Sequence, residues 1–226
     1  MRVVALRRYP VKSMAGEALE FAQVNERGLE GDRWFAVEDS EGRFASGKNT
    51  RRFRRRDRVF DYSARTTQGG QVVVSDGRSE WTVGDVGLDE RLSTVMESPV
   101  SVTPEDQVPH QDMGAVSLIS TATLRWCAAQ WGVNADPRRL RVNIVFESDE
   151  PFAEEGWIGR TISAGSAQLR VAERVPRCRM IDIAQDGAVP AGKWLQPLAS
   201  ERNMHLAMYA DVTSPGEIAL GDYVSL

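Results

Sequence analysis

The sequence predicts a mainly β fold of the α+β type. Three observations carry this. Up to about residue 100, short apolar runs are broken by turn residues at intervals of about 8–12 positions, the spacing of a barrel or sandwich. No helical periodicity is sustained over that stretch. The chain also closes on strand-like runs marked by Gly216 and Gly221-Asp222.

Taken in order, residues 3–7 alternate loosely and pass through Tyr9-Pro10 into a polar turn at Lys12-Ser13. Leu19, Phe21 and Val24 continue with strand character, and Gly28-Leu29-Glu30-Gly31-Asp32-Arg33 is a glycine-punctuated turn. Residues 34–38 read as a strand, and Asp39-Ser40-Glu41-Gly42 has hairpin-turn chemistry. Three more strands are predicted over residues 59–63, 71–75 and 80–83, with no long helix before about residue 100. Helix begins after Ser120, which can cap; Leu124, Cys127, Ala128 and Trp131 share one face, and Gly132 is a natural stop. That face makes Cys127 a buried core thiol. A second short helix is expected over residues 137–140. Residues 141–146 alternate as a strand, which places Arg141 and Asn143 on one face. Further strands are predicted over residues 167–175, 178–183 and 217–226, the last as a hairpin, with a short helix near residues 195–198.

Composition narrows the function classes. The 226 residues are 42% apolar and 27% charged, a soluble globular balance. No apolar run approaches the roughly 20 residues of a membrane helix. The first eight residues lack the apolar core of a signal peptide. Two cysteines in that context suggest free thiols in a reducing cytoplasm. Two histidines, His110 and His205, argue against a His-rich zinc or iron site. Net charge is −4, yet residues 51–58 hold six arginines and Asp57. Overall acidity disfavours nucleic acid as the partner of that run. A solvated basic strand edge and a docking patch both fit it.

The chemistry concentrates at Arg174-Val175-Pro176-Arg177-Cys178-Arg179-Met180. Arginine on both sides of Cys178 favours the thiolate, which is either a nucleophile or a soft metal ligand. An ordinary strand cysteine with its arginines in solvent fits the same seven residues. Lys12-Ser13 offers a cation, a hydroxyl and turn amides together, an anion cradle or an exposed polar turn. Arg33 reads either as a ligand or as a partner of Asp32 or Glu30. Asp112 stands in a loop where a carboxylate can move protons or simply be solvated. Glu154, Glu155 and Trp157 read as a loop brace, and His110 as a loop residue.

Seven segments, in order, resemble MOSC-domain proteins, which bind molybdenum cofactor. They are Tyr9-Pro10-Val11-Lys12-Ser13, Gly28-Leu29-Glu30-Gly31-Asp32-Arg33-Trp34, Val116-Ser117-Leu118-Ile119-Ser120, Arg141-Val142-Asn143-Ile144-Val145, Pro151-Phe152-Ala153-Glu154-Glu155-Gly156-Trp157, Arg177-Cys178 and the closing run 216–224. The branch most similar carries an N-terminal companion domain and includes the mitochondrial amidoxime-reducing components and bacterial relatives. The resemblance implies an N-terminal β domain over residues 1–100 and a C-terminal MOSC β-barrel over residues 101–226, with the cofactor between them. It implies that Cys178 ligates molybdenum. It also implies that Lys12, Ser13, Arg33, Arg141 and Asn143 hold the pterin and its phosphate, with Met113, Pro176 and Arg177 touching the cofactor. The run 180–187 lacks the Thr-Thr and Asp-Pro of the family pattern, and Val142 replaces its usual proline.

Three function classes follow. The first is a molybdenum-dependent reductase of small N-hydroxylated compounds. Cys178 and Asp112 would be its catalytic residues, and a ferredoxin or flavoprotein its external electron donor. The second is a carrier or store of the cofactor. The third is a metal-free thiol protein using Cys178 in sulfur transfer.

Overall fold

The structure is a computed structural model and describes residues 1–188 and 192–226. Its largest element is an eight-stranded sheet. In spatial order the strands are Val224–Ser225, Thr161–Ala164, Ala167–Pro176, His205–Ser214, Val116–Ser120, Ile144–Phe146, Val3–Arg8 and Glu17–Leu19. All neighbours are antiparallel except Val116–Ser120 with Ile144–Phe146. An antiparallel bridge between Arg2 and Tyr223 links the start of Val3–Arg8 back to the edge strand Val224–Ser225, with the Val224 amide donating to the Met1 carbonyl at 2.9 Å.

Both faces of this sheet are covered. Val116, Leu118, Ile144 and Phe146 point into one core together with Ala22, Val24, Leu29 and Ile218 of a small sheet, Gly216–Ala219, Phe21–Asn25 and Gly28–Leu29. Ile119 and Val145, one residue out of phase, point into the other core with Leu124, Cys127, Trp194 and Leu206. Period-two alternation thus divides one strand between two apolar layers, which is why every residue of Val116–Ser120 is buried.

The second unit holds two further sheets. One runs Val100–Pro104, Phe35–Asp39, Phe44–Ser46, Phe53–Arg55; the other runs Glu80–Thr82, Val72–Ser75, Ser63–Thr66. They share a core of Val37, Val59, Phe60, Tyr62, Val74, Leu88 and Leu92. Residues of Val3–Arg8 and Phe21–Asn25 pair with strands more than a hundred positions later.

Helix Thr121–Trp131 forms as its sequence dictates. The Ser120 hydroxyl accepts from the Thr123 amide at 3.1 Å, and Gly132 closes the helix at φ 62°. Buried Glu154 accepts from the Ser120 amide at 3.1 Å and the Thr123 hydroxyl at 2.8 Å, while Trp157 packs on Phe146. The brace read from residues 154–157 is therefore a cap on this helix. Pro137–Leu140 is helical, with Asp136 accepting from the Arg138 amide.

Five expectations fail for stated reasons. Residues 57–61 form a 3-10 turn, since Val59 and Phe60 are both buried instead of alternating; the strand is Ser63–Thr66. A helix, Val86–Val95, stands where none was expected, capped by Asp85 and buried through Leu88 and Leu92 at i,i+4 spacing. The predicted strand at 178–183 is instead the 3-10 turn Arg179–Asp182. Arg141 is not in a strand; it is the left-handed cap of Pro137–Leu140, and the strand begins at Ile144. The last two strands do not pair with each other, because Gly216–Ala219 joins Phe21–Asn25 and Val224–Ser225 joins Thr161–Ala164.

Candidate functional site

One cleft gathers most of the singled-out residues. Lys12, Ser13, Arg33, Asp112, Arg141, Asn143, Pro176, Arg177 and Cys178 all line it, with about 830 Å³ of empty volume counting the part open to solvent. Met113 does not line it; its side chain is 58% exposed on the same loop as Asp112. Ser46, Lys48, Arg139, Met180 and Tyr209 also line the wall and were not foreseen. Arg139 was within reach of sequence reasoning, two residues before Arg141. Lys48 and Tyr209 arrive by topology, from the second unit and from the strand His205–Ser214.

Three left-handed residues build the floor: Ser13 at φ 71°, Arg33 at 55° and Arg141 at 53°. Such a backbone is uncommon without glycine and persists only where the surroundings over-determine it. Here the three are stitched together. Arg33 Nη2 donates to the Arg141 carbonyl at 3.1 Å, Arg141 Nη1 to the Ser13 carbonyl at 3.5 Å, and the Ser13 hydroxyl to the Ala45 carbonyl at 3.0 Å. Beneath them Tyr9, fully buried, offers its ring to Arg141 at 4.2 Å and Arg33 at 5.0 Å. Stacked guanidiniums keep their N–H edges free for other partners.

Six cationic side chains line the cleft against one carboxylate: Lys12, Arg33, Lys48, Arg139, Arg141 and Arg177 against Asp112. Arg33 is paired with the buried Asp32. Lys12 Nζ donates to Asp112 Oδ1 at 2.9 Å and to the His110 carbonyl at 2.5 Å. Burial pulls Lys12 down to about 8, against the upward pull of Asp112. Burial would raise Asp112, but Lys12 outweighs it and holds the carboxyl well below the usual carboxylate range. Asp112 thus anchors Lys12 as a carboxylate in this arrangement. His110 is buried against Phe44, and burial lowers it to about 4.

The remaining arginines are not neutralised. Burial pulls both Arg141 and Arg177 down to about 10. Arg177 donates to the Leu206 carbonyl at 2.8 Å and the Leu140 carbonyl at 2.7 Å. Arg139 Nη2 donates to the Ile181 carbonyl at 2.5 Å. That leaves Arg139 Nε and Nη1, Arg141 Nη2 and Arg177 Nη2 buried without a partner among the described residues. Buried donors left unmet are costly, and all three of these arginines line the cleft, which suits it to an anionic ligand. Asn143 differs: its Oδ1 accepts from the Ser117 amide at 3.0 Å and hydroxyl at 2.9 Å, and its Nδ2 donates to the Arg7 carbonyl at 3.2 Å. It locks two strands and has little left for a ligand.

Cys178 lies at the cleft wall, partly exposed, as the residue capping the turn Arg179–Asp182. Cys127 is fully buried, and burial pushes its thiol up to about 12. Among the described residues no three His, Cys, Asp or Glu side chains cluster as a metal site. A metal at Cys178 would have to bring most of its own ligands. Opposite, Gly114 lies flat on Tyr209; a Cβ there would stand 2.6 Å from the Tyr209 side chain. Burial raises the Tyr209 phenol, so it stays protonated at neutral pH.

Comparison with known proteins covers the whole chain. A family model described as the MOSC N-terminal beta barrel domain matches residues 1–94, and one described as the MOSC domain matches residues 95–225. Molybdenum cofactor sulfurase from Danio rerio is 36% identical over 66 residues, which is 29% of this chain and 8% of the relative. The chain thus spans less than a tenth of the length of that relative. The YuaD protein from Bacillus subtilis superposes with a TM-score of 0.53 at 14% identity, covering 99% of this chain and 93% of its own, and shares the fold. YiiM from Geobacillus stearothermophilus matches 50% of this chain and 54% of its own, at 16% identity and a TM-score of 0.39. No described helix is long and apolar enough to cross a membrane.

Proposed function

The chain belongs to the MOSC domain family, and from that membership we propose that its cleft binds molybdenum cofactor and reduces N-hydroxylated compounds. The observation that carries the reading is that Arg139, Arg141 and Arg177, each with buried donors left unpartnered, line the same cleft as the partly exposed Cys178. This donor set fits the cofactor: guanidiniums suit its phosphate and anionic sulfurs, and a single thiolate suits a metal that brings its own dithiolene.

Cys178 would ligate the metal, with Pro176 and Arg177 shaping its approach. Lys12, Ser13, Arg33 and Arg141 would hold phosphate and pterin; Arg139 joins them, while Asn143 fixes the strands behind. The bound cofactor supplies two-electron chemistry: an N–OH group, two electrons and two protons give an N–H group and water. Asp112 stays ionised and keeps Lys12 in place, so protons come from solvent through the open mouth or from the Tyr209 hydroxyl. Electrons come from an external donor such as a ferredoxin or flavoprotein.

The likeness to a molybdenum cofactor sulfurase supports a second reading, in which the cleft carries the cofactor or transfers sulfur without turnover. One experiment separates them. The cofactor-loaded protein, with molybdenum occupancy confirmed by elemental analysis, is reduced anaerobically with a viologen dye and given benzamidoxime or 6-hydroxylaminopurine. Product from either supports the reductase; none from both supports carriage.

A further inference from the structure

The turn that carries Cys178 is held from the opposite wall of the cleft. Arg179, the next residue, reaches across to the other unit. Its Nη1 donates to the Gly47 carbonyl at 2.6 Å and to Asp57 Oδ1 at 2.8 Å, and its Nη2 to Asp57 Oδ2 at 3.1 Å. The bond to Asp57 is bidentate, which fixes direction as well as distance. Asp57 opens a 3-10 turn in the second unit and is itself steadied by Arg55 at 2.9 Å.

Packing reinforces the pair at the same place. A Cβ on Gly47 would lie 2.8 Å from Ile183 Cδ1 and 3.0 Å from Met180 Cγ, so a larger residue there would push the side chains of the turn outward. The Ser46 hydroxyl donates to the Met180 sulfur at 3.5 Å. Behind the turn, Arg139 holds the Ile181 carbonyl, and Asp182 accepts from the Trp194 amide at 2.7 Å. The turn is thus fixed to its own unit on one side and to Asp57 and Gly47 on the other.

We propose that Asp57 and Gly47 are positioning residues for Cys178, acting through Arg179 as a latch across the cleft. With the latch closed, the thiol is presented at a fixed place on the wall. With it open, the turn is tied on one side alone and Cys178 becomes more accessible. A half-exposed ion pair by itself contributes modestly, so the effect on thiol presentation is about threefold to tenfold, not all-or-none.

The test uses the full chain without cofactor, which frees it from the functional reading. Cys127 is buried, so Ellman's reagent reports the rate at Cys178 alone. Asp57→Ala and Arg179→Gln should each raise that rate about threefold to tenfold at unchanged near-ultraviolet circular dichroism. Arg58→Ala, which removes a pair with Asp61 and leaves the latch intact, should not. The exchanged pair Asp57→Arg with Arg179→Asp should return the rate toward wild type. If Asp57→Ala fails to fold, Arg179→Gln and amide exchange at Ile181 decide. Wild-type rates in both single variants, or an equal rise in Arg58→Ala, would overturn the latch. What the latch means for cofactor binding rests on the proposed ligand role of Cys178. Equal molybdenum retention in wild type and Cys178→Ser would remove that role and leave the latch standing.

Discussion

Cys127 and Cys178 place the same atom in opposite surroundings, and a substitution at each separates scaffold from chemistry. Cys178→Ser should abolish molybdenum retention, because a hydroxyl is a harder and less acidic ligand than a thiolate. Cys127→Ser should retain it, since that side chain faces Leu124, Trp194 and Leu206. Metal content after gel filtration checks both. Lys12 sets a pH dependence. Its folded-state value is lowered to about 8, so below that pH it presents a cation to an anionic ligand and above it does not. Ligand binding favours the protonated form, so affinity should fall as pH rises past about 8, by up to about tenfold per unit. Lys12→Arg should flatten the profile, and a titration of cofactor retention from pH 7 to pH 10 would show it. Arg141→Ala removes one charge-assisted contact, worth about 1.5–3 kcal/mol or roughly 10- to 150-fold in affinity. Undiminished occupancy under competition would place the cradle elsewhere.

At the scale of single elements, what the sequence discloses depends on whether the deciding contacts are local. Helix Thr121–Trp131 was legible from its cap, its apolar face and Gly132, all within one segment. The helix Val86–Val95 has the same kind of signal, Asp85 before Leu88 and Leu92, but Gly87 in its first turn and the glycine turns before it, at Gly69-Gly70, Gly77 and Gly84, obscure it. Arg141 to Phe146 alternates like a strand, yet the alternation arises from two different structures, a left-handed cap followed by a three-residue strand. Arg141 and Asn143 therefore do different jobs, although both reach the cleft. The turn after Cys178 was read as a strand because its apolar residues, Met180, Ile181 and Ile183, are divided between two units that only the folded chain brings together. Glu154 gives an element-scale prediction. Glu154→Ala strips the acceptor from the Ser120 amide and Thr123 hydroxyl in a buried site and should cost about 1–3 kcal/mol. At about 2–4 °C per kcal/mol for a chain of this size, calorimetry would resolve the loss.

On the scale of the whole molecule, the run of arginines at 51–58 is less free than its composition implies. Arg56 pairs with Asp39 at 3.0 Å, Arg55 with Asp57 at 2.9 Å and Arg58 with Asp61 at 3.1 Å, while Arg52 turns inward over Phe53. Reversing the charge of Arg51, Arg54 and Arg58 should slow donor-dependent reduction at low salt and leave dye-dependent reduction unchanged, if an acidic donor docks there. Equal donor-dependent rates would make the run a solvated edge. The path of the chain between its two matched regions was not readable, because strand partners far apart in sequence leave no local trace. That path has a consequence for synthesis. Val24 pairs with Gly216, so an early strand waits on a ribosome that has yet to translate nearly two hundred codons. Until then Phe21–Asn25 has an unpaired edge and the core around Val24 lacks Ile218. The nascent chain can complete Phe35 to Pro104 first and must seal its own beginning last, so maturation should be governed by the arrival of its final strands.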